Sequence, residues 1–99
     1  MASKLRFHPA VADDLESSTT YYDEISARLG ARFRVAIRDC LSTMAERPAT
    51  FACIHEQQRA ALVHGFPYVI VFEKSEHFVT ILGVFHVASD QPGWFNRSG

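Results

Sequence analysis

Four side chains able to do chemistry are spaced through the C-terminal half of the chain. Arg59 opens the run "RAALVHG", Tyr68 sits in "FPYVIVF", His86 closes "TILGVFH", and Arg97 follows the aromatic pair of "GWFNR". Histidine titrates near neutral pH, so His86 could carry a proton or anchor a polar group in a groove. The planar guanidinium of Arg59 is a forked donor suited to phosphate or carboxylate, a geometry that lysine lacks. Each residue also has a plainer use. A histidine at a strand end can be satisfied by one hydrogen bond, and an arginine on a strand edge can be a solvated charge.

The segment "VFHVASDQPGWFNR" holds the chain's one tryptophan. Trp94 and Phe95 come after Pro92 and Gly93, so the chain turns and then offers two aromatics. Trp94 can pack back over the sheet edge, a burial that contributes about 2 to 3 kcal/mol. Beside Arg97 it can instead form a binding tip, since aromatic and arginine side chains are enriched at interaction hot spots. A second cluster, Arg28, Arg32, Arg34 and Arg38, is either a solvated helix face or a local basic patch for an acidic partner or a nucleic acid. Arg28 and Arg32 lie one turn apart only where the helix runs unbroken through Gly30.

Other chemistries find little footing. The five histidines, His8, His55, His64, His77 and His86, are scattered, with no H-x-x-x-H spacing and no cysteine pair, so no metal site is expected. There is no glycine-rich phosphate loop and no G-x-S-x-G elbow, and no cofactor is expected. Cys40 and Cys53 read as reduced thiols. The longest purely apolar run, "YVIVF", is far short of the roughly 20 residues of a membrane span, and no leader-like apolar segment follows Met1. A soluble, cytoplasmic protein is expected.

The elements that must position these residues follow from periodicity. "KLRFH" reads as a strand ended by Pro9. Val11, Leu15, Ser18, Tyr22, Ile25 and Leu29 recur at helical steps, with Asp13, Asp14, Glu16, Thr20, Asp23 and Glu24 on the other side. Gly30 stands where a helix stop is expected, and a second stripe follows in Phe33, Ile37, Cys40, Leu41 and Met44 until Pro48. After the irregular "ERPATFACIHEQQ" come three strand-like runs, "RAALVHG", "PYVIVFEK" and "HFVTILGVFHV". Strict alternation puts Val79, Ile81, Gly83, Phe85 and Val87 on one face of the last strand, and Phe78, Thr80, Leu82, Val84 and His86 on the other. The expectation is a small α+β protein, one domain over residues 1–99. Its order is β-α-α-β-β-β, a helical hairpin packed on an antiparallel sheet.

Ten Lys and Arg against eleven Asp and Glu give a formal charge of −1 over 99 residues, of which 47% are apolar. A protein that binds mainly through phosphates normally carries a basic excess, so any nucleic-acid surface here is a local patch. A chain this short buries only a modest core, and a partner or a second copy can supply part of its stability.

The element order, together with "FHPAVADDL", "YYDEI", "LGARF", "RPATF", the isolated Arg59, "FPYVIVF" and the closing "VFHVASDQPGWFNR", resembles the RelE/ParE superfamily of toxins from bacterial type II toxin–antitoxin modules. The likeness is greater to its ParE-like, plasmid-stabilisation branch. His86, Asp90 and Trp94 keep the spacing of the family's last block. Ser89 stands where an arginine is common, and Pro92 comes one residue late.

The resemblance implies two possible activities. One is inhibition of DNA gyrase by docking, which needs no catalytic group on the toxin. The other is cleavage of mRNA on the ribosome, with His86 as acid or base, Arg59 as phosphate clamp and Tyr68 or Arg97 assisting. The near-zero charge, Ser89, "YYDEI" and "LGARF" favour the gyrase inhibitor. A non-toxic relative kept as a binding module is a third possibility. In each case a cognate antitoxin is the implied partner, in a homodimer or a toxin–antitoxin hetero-oligomer, with Trp94, Phe95, Asp90, Arg28 and Arg32 as candidate contacts. Arg59 and the final segment are expected to border one cleft.

Overall fold

A computed structural model of the chain describes residues 3–88. Strand β1 (Lys4–Phe7) leads into helices α1 (Val11–Ile25) and α2 (Ala27–Glu46). A 3-10 turn, Pro48–Thr50, follows, and then strands β2 (Cys53–His55), β3 (Gln58–Leu62), β4 (Tyr68–Lys74) and β5 (Phe78–His86). The sheet order is β1-β5-β4-β3-β2.

The helices form where their apolar stripes meet the sheet. α1 buries Val11, Ser18 and Tyr22, and α2 buries Gly30, Phe33, Ile37 and Met44. Ser18 is tolerated there because its hydroxyl donates to the carbonyl oxygens of Asp14 and Leu15, at 2.9 and 3.2 Å. Arg47 caps α2 and Pro48 comes next, where its ring blocks a further helical turn.

The helix break lies four residues before its expected place. Ser26 is extended, and its hydroxyl oxygen accepts from the Leu29 amide at 3.0 Å, so it ends α1 and caps α2 together. Gly30 is inside α2 and serves close approach instead of termination. A β-carbon there would lie 1.7 Å from Asp23 Oδ1. The space is used by an ion pair across the hairpin, in which Arg34 Nη1 donates to Asp23 Oδ1 at 3.0 Å and Nη2 to Oδ2 at 2.5 Å. Arg28 and Arg32 are consequently one turn apart on an unbroken helix.

The Arg34 guanidinium holds the Asp23 carboxyl below the usual carboxylate range. The pair therefore supports the fold above that range and ceases to do so as pH falls through the depressed value. Alanine is favoured over glycine within a helix by about 1 kcal/mol. In Gly30→Ala we expect that gain to offset the displaced ion pair, with little net change in stability at neutral pH. The Asp23 carboxyl, followed by NMR titration, should return to the ordinary range. An unmoved titration would contradict the close approach.

The sheet is mixed, where an antiparallel one was expected. β1 pairs in parallel with β5, Lys4 opposite Phe78 through Phe7 opposite Ile81, while β5, β4, β3 and β2 are successively antiparallel. Short turns dictate the antiparallel neighbours. β1 reaches its partner through most of the chain, so turn length carries no information about its direction. β2 is also an addition to the expected order. It is exposed at all three residues and pairs with β3 at two positions only, so it leaves no alternation to read.

A bulge in β5 overturns the expected facing of its residues. Val71 lies opposite Gly83 but Phe72 lies opposite Ile81, which makes Leu82 an extra residue. Val79, Ile81 and Val84 thus share the core beneath the helices with Ile70, Phe72, Phe33 and Met44. Leu82 and Phe85 pack with Val71 and Val69 in a second cluster. Beyond the bulge, His86 falls on the same face as Val84 and Ile81.

Candidate functional site

The C-terminal end of β5 meets a wall of rings. Tyr22 from α1 and Phe33 from α2 lie 4.9 Å apart, and Phe66, from the turn before β4, is 5.0 Å from each. Tyr68 is 5.3 Å from Phe33, and the His86 ring stands edge-on to Tyr68 at 5.2 Å. Such edge-to-face contacts match the positive ring edge to the negative face. Burial raises the phenol pKa of both Tyr22 and Tyr68, which makes either a poor base. His86 is exposed, and its Nδ1 accepts from the Ala88 amide at 3.0 Å. The neutral ring therefore carries its proton on Nε2.

Asp14 fixes this end of the strand. Its Oδ2 accepts from the Val84 amide at 3.0 Å, joining α1 to β5 just beyond the bulge. Periodicity placed Asp14 among the outward acids, but the carboxylate faces the sheet. A ladder donor turned out of register by a bulge needs an acceptor, and strict alternation gives no hint of one.

Arg59 occupies a different place. Its Nη1 donates to the carbonyl oxygens of Phe51 at 2.5 Å and Ala49 at 3.5 Å, tying β3 to the segment after α2. Arg59 lies opposite Phe72 and His86 opposite Tyr68, on either side of β4. Four residues along a strand amount to about 13 Å. Arg59 and His86 are thus set apart along β4, while the rest of the final segment expected to border a cleft with Arg59 lies outside the described residues. Asp90, Trp94, Phe95 and Arg97 lie outside the described residues, as does Ser89.

A groove of about 660 Å³ runs along α2, between the stripe Arg28, Arg32, Val35 and Asp39 and a wall that includes Phe51, Leu62 and Phe66. Arg28 and Arg32 thus both line the groove. The sequence did carry a signal for its apolar part. Val35 is off the core stripe of α2, and Leu62 interrupts the alternation of Ala61 and Val63.

Cys40 lines the same groove, and its Sγ lies 3.9 Å from the Leu62 carbonyl oxygen. Burial pushes its thiol up to about 11. At pH 8 only about one part in a thousand is then thiolate, the reactive form. Cys53 is exposed. A disulfide-exchange titration with DTNB at pH 8 should therefore show one fast thiol per chain, with the second reacting much more slowly until urea is added. Two equally fast thiols would refute the burial of Cys40.

Among the described residues no three His, Cys, Asp or Glu side chains converge as metal ligands, and no helix is long and apolar enough to cross a membrane.

A two-helix hairpin on one face of a small mixed sheet, with the first strand beside the last, is the RelE/ParE-like fold. No family model matches the chain, and no curated protein matches it. Among solved structures, the chain is similar to one of the chromosomal ParDE toxin–antitoxin system from P. aeruginosa. The TM-score is 0.75 at 16% identity, over 87% of this chain and 97% of that one. It is also similar to one of the RelBE2 toxin–antitoxin complex from Mycobacterium tuberculosis, with a TM-score of 0.61 at 16% identity, over 87% of this chain and 99% of that one.

Proposed function

We propose that the chain is the toxin of a type II toxin–antitoxin pair, held inactive by a cognate antitoxin, and that its target is DNA gyrase. The separation of Arg59 from His86 carries the choice of target. A ribonucleolytic toxin must gather a base, an acid and cations around one phosphate. Here Arg59 Nη1 donates to the carbonyl oxygens of Phe51 and Ala49, and Arg59 and His86 lie opposite Phe72 and Tyr68, at separate places along β4. Poisoning gyrase is a docking act and needs no such set. A formal charge of −1 and the higher TM-score with the ParDE structure, 0.75 against 0.61, support the same choice.

Supercoiling and cleavage-complex assays with purified gyrase test this reading. Inhibition by micromolar toxin is expected, and none at that concentration would overturn it. The Tyr68–His86 contact keeps a second reading open, mRNA cleavage on the ribosome. Primer extension on translated mRNA addresses it: codon-phased cuts that vanish in His86→Ala would establish cleavage in place of gyrase inhibition.

A further inference from the structure

We propose that the sheet face turned away from the helices is a docking surface for the chain's own last residues, 89–99, with Trp94 and Phe95 laid over Val71, Leu82 and Phe85. The proposal is independent of the target of the toxin.

Strand pairing sorts the side chains of this outer face. Val69, Val71 and Glu73 alternate along β4. Across the ladders Val69 meets Leu62 and Phe85, Val71 meets Ala60, and Glu73 meets Gln58 and Thr80. Both helices pack on the other face, against Ile70, Phe72, Ile81 and Val84. A sheet face left to solvent carries mostly polar side chains, and apolar ones on it keep part of their surface in water. The centre of the outer face is instead dry: Val71 and Leu82 are 0% exposed, Phe85 7% and Gln58 4%. Among the described residues, the one partly buried hydrophobic packed against Val71, Leu82 and Phe85 is Val69. Neighbours in the same sheet shield a side chain from the flanks and leave its top open, so the cover comes from elsewhere in the chain. It is a strip and not a full layer, because exposure returns at the margins, with Leu62 at 66% and Val87 at 48%.

A second copy does not account for the strip, which is buried within a single chain. The segment SDQPGWFNRSG, residues 89–99, has the right length and chemistry. β5 ends at His86, and a turn at Val87 and Ala88 sends the chain back. Six extended residues, Ala88 to Trp94, reach about 20 Å, while Phe85 and Leu82 lie about 10 and 20 Å back from Ala88 along β5. Two large aromatic rings fit an apolar patch of this size. Charge agrees with the same path: Arg97 comes three residues after Trp94, and the Glu73 carboxylate lies two residues beyond Val71 on the same face. Trp94 and Phe95 then complete a second core and are withdrawn from contacts with partners.

The full chain tests this directly, since Trp94 is its one tryptophan. Its emission should be blue-shifted and move to the red in urea, with iodide quenching about threefold weaker in the folded chain, as burial of a large side chain demands. Nuclear Overhauser contacts are expected from the Trp94 and Phe95 rings to the methyls of Val71 and Leu82. Val71→Ala, its fold checked by circular dichroism, should move the Trp94 emission to the red. Ile70→Ala, one residue away on the helix face, should leave it in place. Arg97→Gln and Glu73→Gln should each raise iodide quenching, and the double variant no further than either alone.

Quenching equal to that in urea, ring contacts to Ile70 or Phe72 in place of Val71 and Leu82, or equal responses to Val71→Ala and Ile70→Ala would overturn the assignment. Burial of Trp94 that disappears on dilution would overturn it as well, by giving the cover to a second copy.

Discussion

Phe33→Ala should lower the urea midpoint of unfolding by about 2 M and leave the chain close to the limit of stability. Phe33 is fully buried and touches Tyr22, Phe66 and Tyr68 through its ring, so it joins α1, α2 and the start of β4. Truncating a buried phenylalanine costs about 3 to 5 kcal/mol, from lost transfer energy and the cavity left behind. A small domain has only about 5 to 15 kcal/mol to lose. Phe33→Leu retains most of the volume and should cost much less. A loss below about 1 kcal/mol in Phe33→Ala, within the range of ordinary surface changes, would mean that the ring cluster does not hold the hairpin to the sheet.

Asp14→Ala should cost about 1.5 to 3 kcal/mol, the range for a hydrogen bond to a charged group. The effect should be local in character. The Val84 amide loses its acceptor, so its hydrogen exchange should rise more than that of Ile70 or Val71 in the adjacent strand. The edge-on contact between Tyr68 and His86, visible as a ring-current shift, should weaken because the bulge that orients His86 is no longer pinned. Asp14→Asn keeps a carbonyl acceptor and should restore most of both signals. Unchanged Val84 exchange in Asp14→Ala would remove Asp14 from any part in setting the end of β5.

The elements were legible in the sequence where one face of each is buried. Tyr22, Phe33, Ile37 and Met44 mark the two helices, and the run from Tyr68 to Lys74 marks β4, because burial imposes a period. Local chemistry misled at Gly30, whose missing side chain makes room for Asp23 and does not end a helix. β2 left no trace because none of its residues is buried. The bulge at Leu82 was invisible for a different reason: one extra residue in a largely apolar strand changes no composition, yet it reverses the facing of everything after it.

The candidate site was legible in part. His86 and Tyr68 were picked out and do meet, and Arg28 and Arg32 both line the groove. Arg59 was noticed for its isolation, but isolation in sequence does not say whether a guanidinium faces a ligand or a carbonyl of its own chain. Here it binds Phe51 and Ala49.

The place of β5 between β1 and β4 has a consequence for how the protein is made. β1 has no neighbour to pair with until the residues from Phe78 onward have been translated, since Lys4 meets Phe78. Contacts so distant in sequence form late, and the nascent helices must wait with their apolar stripes uncovered. A product cut short before Phe78 would forfeit both of β5's ladders at once, so premature termination should abolish the protein as a whole, with no shortened but folded form surviving.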